Sequence, residues 1–527
     1  MGQGVFLSMD ITTPSSSSTS LAREGGFYGR TISSALPTVL HAQSFEQLLV
    51  SGGDERIAID PHTGRNRYGT PPGKADEEVW FSSSTAAAIS PRGHDAALEA
   101  YRSVIHANNA YAIPTWFNRI RARLVGLFGI PGTAIVLSGS GTELELIALV
   151  LARSLFRRPL TNLVIAPEET GRGVPLAASG RHFLGSAPFG DKVERGLLLE
   201  GFESPEILTE TVEIRDEHGE PLSLDCIDDE VAQRVEASVA DGRCALIHLL
   251  DCSKTNRSGL RRSTASALMA RYAGQALVVV DGCQLRCAPE QIRADLQAGF
   301  MVMITGSKFA GGPPFAGAIL IPPKIAEQLQ QLELPSGLFT YTAAEDWPAG
   351  LRSKISGQFI ATRNVGAGLR WQAALAELDG FFALPVQLRE NVAAAFASAV
   401  KRCVRDYPCF QMIERQSVEL DPTIFPIVTV AKDRILTSET IHRLLREPLP
   451  DNSAPGTSKR IFHVGQPVPI GHCSALRVCL SMPQVVDAAE NMAKGQGFEA
   501  AIAPLMADID GLFSKWARIA DDLCRRA

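Results

Sequence analysis

Three short stretches put a polar or charged side chain directly after an apolar run, and each has a chemistry it could perform. In MVMITGSKFAGGPPFAGAILIP, residues 301–322, Lys308 stands between an apolar run and a run of glycines and prolines. At the end of a buried strand a lysine is partly desolvated, which disfavours the ammonium form and leaves an amine able to attack a carbonyl. Taken alone, it reads equally well as a surface lysine in a loop. In ALVVVDGCQ, Asp281 closes the apolar run and Gln284 follows three residues on. A carboxylate there can hold a positive charge such as a protonated ring nitrogen, or simply close an Asx-turn. In TAIVLSGSGTELEL, Ser138, Ser140, Gly141 and Thr142 precede a helical run. The free N–H groups and dipole of a helix N-terminus stabilise a phosphate, although an ordinary Ser or Thr cap has the same sequence.

Whether these stretches meet depends on the elements that carry them. TAIVLSGSG, NLVIAPEE, CALIHLLD, ALVVVDGCQ, FMVMITGS and GAILIP are short, doubly apolar runs of the kind found in buried parallel strands. Between them TELELIALVLARSLF, DDEVAQRVEASVADG and RRSTASALMARYAG have helical periodicity with polar faces. Alternating strands and helices predict an α/β fold with a mostly parallel sheet, and ligands of such sheets bind at the carboxyl ends of the strands. Residues 1–80 read as an irregular N-terminal extension, with a serine run at 15–20 expected to be a mobile tail. Residues 81–383 form the predicted large domain. From 384 to 527 amphipathic helices (NVAAAFASAVKRCVRDY, SETIHRLLREP) and two strand-like runs (FPIVTVA, ALRVCLS) predict a smaller α+β domain.

Composition excludes several classes. With 45% hydrophobic and 20% charged residues and a net charge of -6, the chain has no basic face for nucleic acid. The N-terminus lacks the basic and apolar regions of a secretory signal, Phe6 breaks a myristoylation pattern, and no apolar run has the length of a membrane span. The ten cysteines form no C-x-x-C pair or metal-ligand spacing, so reduced thiols, a cytoplasmic location and no metal are expected. SGSGTE lacks both the Walker lysine and the G-x-G-x-x-G spacing of a nucleotide loop.

A phosphate cradle, a ring-nitrogen carboxylate and a Schiff-base lysine are together what pyridoxal phosphate requires of a protein. In their order, SGSGTE, then DGCQ, then TGSK with a glycine-rich turn, the chain resembles the fold type I pyridoxal-phosphate enzymes, and within them the class V aminotransferase and cysteine desulfurase group. The resemblance runs over residues 80–485 and implies a mostly parallel seven-stranded sheet flanked by helices, with a smaller α+β C-terminal domain. It implies that Lys308 forms the internal aldimine and acts as acid and base. Asp281 would keep the pyridine nitrogen protonated and Gln284 would contact the ring oxygen. Thr305 and Ser307 would help Ser140, Gly141 and Thr142 hold the phosphate. Asn256, in NRSG, matches an Asn-x-x-Gly turn that approaches the ring oxygen or the substrate. The chain departs from the group at the ring face, where Thr170 with Glu169 nearby replaces a histidine, and at Ser307, where desulfurases commonly have a histidine.

Arg477, in SALRVCLSMP, resembles the small-domain arginine that holds the substrate carboxylate through its planar fork. Arg363 is a second candidate, reaching a neighbouring subunit's phosphate, whereas Trp116 and Phe117 read as core or interface aromatics. The group implies a homodimer. A desulfurase needs a thiol on a loop before the carboxylate arginine, and residues 450–470 contain no cysteine. The expected activity is therefore an aminotransferase acting on a small α-amino acid, with a lyase that uses no catalytic cysteine next and a decarboxylase after it. A catalytically silent scaffold is the reading from another class.

Overall fold

The structure is a computed structural model that describes residues 43–526 apart from 108–110, 357–358, 360–362, 414–422, 432–433 and 450–458. The serine run and most of the N-terminal extension lie outside the described residues. Strand β1 (Glu78–Phe81) belongs to a second sheet. The large sheet contains β2 (Ala134–Ser138), β3 (Leu160–Ile165), β4 (Ile207–Val212), β5 (Cys244–Leu250), β6 (Ala276–Gly282), β7 (Met301–Thr305) and β8 (Gly317–Ile321). Its order is β2-β8-β7-β6-β5-β3-β4, and β8 runs antiparallel to both its neighbours while the other pairs are parallel.

Every residue of β3, β5, β7 and β8 is buried, which is why these strands read as unbroken apolar runs. One face is covered by the helix Gly141–Phe156, whose residues 142–153 are all buried. Leu144, Leu149, Leu246, Val279, Met303 and Ile319 pack there into the main core. The six expected strands all form. The seventh, β4, has no such signature: it sits at the sheet edge, and its sequence ILTETV carries polar residues on a partly exposed strand. Trp116 and Phe117 are buried, as expected of core aromatics.

The two-residue strands β9 (Leu332–Glu333) and β10 (Ile355–Ser356) pair beside the large sheet's helices. The second sheet contains β11 (Phe410–Met412), β12 (Ile424–Ala431), β13 (Arg434–Ile435), β14 (Ile461–Ile470) and β15 (Cys473–Cys479), in the order β1-β14-β15-β12-β11 with β13 on β12. Strand β1 pairs in parallel with β14, Glu78 opposite Ile461, so a segment preceding the large sheet completes the edge of the sheet that comes after it. Part of the 450–470 stretch, which reads as loop in the sequence, is therefore strand. Its prolines are accommodated because Pro467 lies at a register shift between Gly465 and Val468, and Pro469 near the strand's end. The helix Phe498–Arg526 backs this sheet, with Trp516 fully buried and its indole N–H donating to Thr429 Oγ1 at 2.9 Å. Among the described residues no helix is long and apolar enough to cross a membrane.

Candidate active site

A cavity of about 770 Å³ opens at the carboxyl ends of β2, β5, β6 and β7. Ser84, Thr85, the Gln466–Pro469 segment and Arg477 supply its opposite wall. Of the residues singled out from sequence, Ser140, Gly141, Thr142, Thr170, Asp281, Thr305, Ser307, Lys308 and Arg477 all line it. Three stretches far apart in the chain converge because each comes directly after a strand of one sheet.

Lys308 lies three residues beyond β7. Its carbonyl accepts the Gly311 N–H at 2.9 Å, and the Gly312 N–H donates to the Gly306 carbonyl at 2.9 Å, which closes the turn around it. No hydrogen bond or ion pair occupies the Lys308 amine among the described residues. The glycines of the turn face away from the cavity: Gly311, at φ 70°, packs on Pro483, and Gly312 on Gly306 and Ala374. Pro314 and Phe315 are the turn residues that line the cavity.

Asp281 is the one incompletely buried residue of β6. The Cys283 N–H donates to its Oδ1 at 3.0 Å, which fixes the carboxylate at the strand end. Beneath it lies a pair that no motif in the sequence announces. His248 of β5 and Asp281 of β6 share a sheet face, since Leu250 stands opposite Asp281 and His248 opposite Val279. The Glu145 carboxyl, from the covering helix, lies 3.3 Å from His248 Nδ1. Burial, together with the nearby Asp281, pushes the Glu145 carboxyl well above the usual carboxylate range. Burial likewise lowers the His248 pKa to about 4. Burial thus disfavours the charged form of both side chains beneath Asp281.

The cradle is more elaborate than a turn with a cap. Ser140 caps the helix, its Oγ accepting the Glu143 N–H at 3.3 Å. Glu143 folds back to accept the Gly139 N–H at 2.9 Å and the hydroxyls of Ser138 and Ser140 at 3.3 and 3.2 Å. Gly141 and Thr142, the first two helical residues, carry N–H groups with no intrahelical acceptor. A side chain at position 141 would place its Cβ 3.0 Å from Cys283 Sγ, a contact that Cys283 would have to yield to. Arg56, from the N-terminal region, completes the cradle: it donates to Ser140 Oγ at 2.9 Å and to Asp54 at 2.6 Å. Its guanidinium lies 4.8 Å from the Phe315 ring centroid. Burial and Asp54 push the Glu143 carboxyl up to about 7.

At the far wall Arg477 is 1% exposed. It donates to Thr85 Oγ1 at 2.9 Å and to the Gln466 carbonyl at 2.5 Å, while its Nε and Nη1 have no partner. Burial lowers its pKa to about 10, so it remains charged at neutral pH. Gly465 stands opposite it in the β14–β15 register, and a Cβ there would come within 2.8 Å of Arg477 Nε. Lys254, just beyond β5, also lines this cavity, and its N–H is held by the Glu169 carbonyl at 3.0 Å.

Some predicted residues point elsewhere. Gln284 does not line the cavity, and its Nε2 donates to the Ser84 carbonyl at 3.1 Å. Asn256, at φ 63°, also lies off the lining, with Oδ1 accepting from Cys252 Sγ at 3.5 Å. Thr305 lines the cavity, but its hydroxyl donates to the Cys283 carbonyl at 2.7 Å and so ties the ends of β6 and β7 together. Glu169 is engaged by Arg215 at 2.5 Å and Ser253 at 2.6 Å, whereas Thr170 lines the cavity. Arg363 is not among the lining residues. The signal for Lys254 is its place four residues after the apolar run CALIHLL; nothing in the sequence around Arg56 announces its role.

No family model matches the sequence, and no curated protein matches it. Solved structures do. A mutant of the enzyme C-DES with glycine covalently linked to its PLP cofactor aligns with TM-score 0.53 at 13% identity, covering 82% of this chain and 96% of that one. A complex of the same cystine C–S lyase with cysteine persulfide aligns at 0.52 and 12%, over 82% and 97%. Alanine–glyoxylate aminotransferase from Nostoc sp. aligns at 0.50 and 14%, over 85% and 96%. At these identities the likeness is one of fold. The chain has the fold type I architecture of the class V pyridoxal-phosphate enzymes, as the sequence led one to expect.

Proposed function

We propose that the chain is a pyridoxal-phosphate-dependent aminotransferase acting on an α-amino acid. The carrying observation is the convergence, in one cavity, of the unpaired Lys308 amine, the Asp281 carboxylate and the open N–H groups of Gly141 and Thr142. These residues fit the cofactor: the helix N-terminus with Ser140 and Arg56 would hold its phosphate, Asp281 its ring nitrogen and Lys308 its aldehyde. Pyridoxal phosphate, when bound, supplies that aldehyde and a ring that withdraws electron density from the substrate carbon. Lys308 then takes and returns the proton at that carbon. Asp281 would hold the proton at the ring nitrogen, above a buried Glu145 and His248 whose charged forms burial disfavours. Arg477, which lines the cavity as a cation, would bind and orient the substrate carboxylate, which disfavours decarboxylation because the carboxylate is kept as an anchor.

Among the described residues Cys283 is the cysteine that lines the cavity, and burial and Asp281 push its thiol well above the ordinary range. A thiol held protonated is a poor acceptor of sulfur, which weighs against desulfuration. The group further implies a homodimer, and the ten unpaired cysteines are in keeping with a cytoplasmic location.

The test is the visible spectrum of the purified protein before and after borohydride reduction, with peptide mapping of the adduct. A yellow protein whose adduct maps to Lys308 supports the reading; a protein that stays colourless with added pyridoxal phosphate removes it. A substrate screen then separates the reactions, since amino-group transfer to a keto acid identifies the aminotransferase, and release of ammonia would put a β-eliminating lyase in its place.

A further inference from the structure

Between the β5 end and Arg477 the cavity holds more positive charge than one carboxylate neutralises. Lys254 lines the cavity there, and its ammonium has no hydrogen-bond or ion-pair partner among the described residues. Burial and the neighbouring Arg477, Lys308 and Arg172 lower its pKa to about 7, against the opposing pull of Glu169. Glu169 cannot serve as its counterion, because Arg215, Ser253 and Thr255 already occupy its carboxylate. Glu168 and Glu439 lie exposed at the cavity rim. The Glu145 carboxyl is pushed well above the usual range by burial, and Asp281 is fixed at the β6 end. The backbone at Lys254 is held in place, since its N–H donates to the Glu169 carbonyl at 3.0 Å. The cavity, about 770 Å³, has room beyond a cofactor and one small amino acid.

We infer that the substrate is an amino acid bearing a second anionic group on its side chain, a carboxylate or a phosphate, and that Lys254 is the residue that binds that group. The inference rests on the pyridoxal-phosphate reading. Arg477 takes the α-carboxylate, Lys254 takes the second anion as a point charge, and Arg172 at the cavity edge adds to the attraction. A free anion arriving beside Lys254 favours its protonated form, so binding draws a proton from solution.

The experiment titrates cofactor-loaded protein with L-aspartate, L-glutamate, O-phospho-L-serine and L-alanine, following the visible band. In parallel, calorimetry compares the unreactive pair succinate and butyrate at about pH 8 in buffers of different ionisation enthalpy. Acidic amino acids should bind about tenfold or more tightly than alanine, the effect of one charge-assisted hydrogen bond. Succinate should bind with uptake of up to about one proton per site. In Lys254→Met both the preference and the proton uptake should disappear, and Lys254→Arg should restore the preference. The relative affinities of the dicarboxylic and phosphorylated substrates identify which anion the site takes. Equal affinity for alanine and the acidic amino acids overturns the inference. So does a Lys254→Met variant that loses pyridoxal phosphate as readily as Lys308→Ala, since Lys254 would then serve the cofactor. A colourless wild type that still binds succinate through Lys254 would sink the cofactor reading and leave the anion site standing.

Discussion

The two ends of the cavity are held by opposite strategies. At the cradle end the charges described pair internally: Arg56 with Asp54 at 2.6 Å, and Glu143 within 3.9 Å of Arg56 while accepting from Gly139. At the far end Arg477 keeps two buried N–H groups unpaired and Lys254 has no counterion among the described residues. A buried ion pair is costly to break and a lone buried cation is costly to keep. The cradle is thus built to stand by itself, whereas the far end leaves cationic groups without an internal partner.

That contrast can be broken in steps. The largest effect falls between the two ends: Lys308→Ala should cut turnover by about 10⁴-fold and abolish the borohydride adduct, with thermal stability little changed. Turnover retained by the loaded variant would take Lys308 out of the chemistry. At the cradle, Arg56→Met leaves Asp54, 2% exposed, without its cation, and should lower unfolding stability by about 3 kcal/mol as well as weakening cofactor retention. Denaturant melts of the apo-protein read the first effect free of the second. At the far wall the sign reverses. Arg477→Leu should raise the substrate KM, at a cost of about 2 kcal/mol in substrate affinity, yet leave the melting temperature unchanged or higher. A destabilised Arg477→Leu protein would mean that the guanidinium is a structural tie through Thr85 and Gln466 instead. The smallest effect is on pH dependence. Burial and Arg446 lower the pKa of His442, on the cavity wall, to about 3. The unfolded chain takes up its proton below about pH 6.5 while the folded one resists, so stability is lost as the pH falls from about 6.5 towards 3. His442→Gln should recover about 1 kcal/mol of that loss at about pH 5.5, measured by denaturant melts across pH.

The same contrast explains what can be read from the sequence. Lys308, Asp281 and Gly141 are legible because each comes after an apolar run whose residues are buried on both faces of the sheet, and the rule that such strand ends face ligands needs no tertiary detail. Lys254 comes after such a run too, but in CSKTNRSG the Asn-x-x-Gly turn draws attention to Asn256, and only the backbone decides which of the two faces the cavity. Arg56 sits in a segment without periodicity, held in place by Asp54 and by aromatic rings contributed from positions 183 and 315. Strand β14 is obscured because a glycine and two prolines in IFHVGQPVPI argue against a strand unless a bulge absorbs them. Its glycine is there because Arg477 occupies the space a side chain would need.

The parallel pairing of β1 with β14 also bears on when the protein can become active during its synthesis. Glu78 waits for Ile461 and Thr85 for Arg477, so the N-terminal partners emerge from the ribosome several hundred residues before their counterparts. At about 5–20 residues per second that interval lasts roughly 20–80 s. Through it the strands bearing Asp281 and Lys308 can already be assembled into the large sheet, while the wall that receives the substrate does not yet exist. A nascent chain stopped short of β14 would therefore possess the groups proposed to meet a cofactor and lack the one proposed to anchor a substrate.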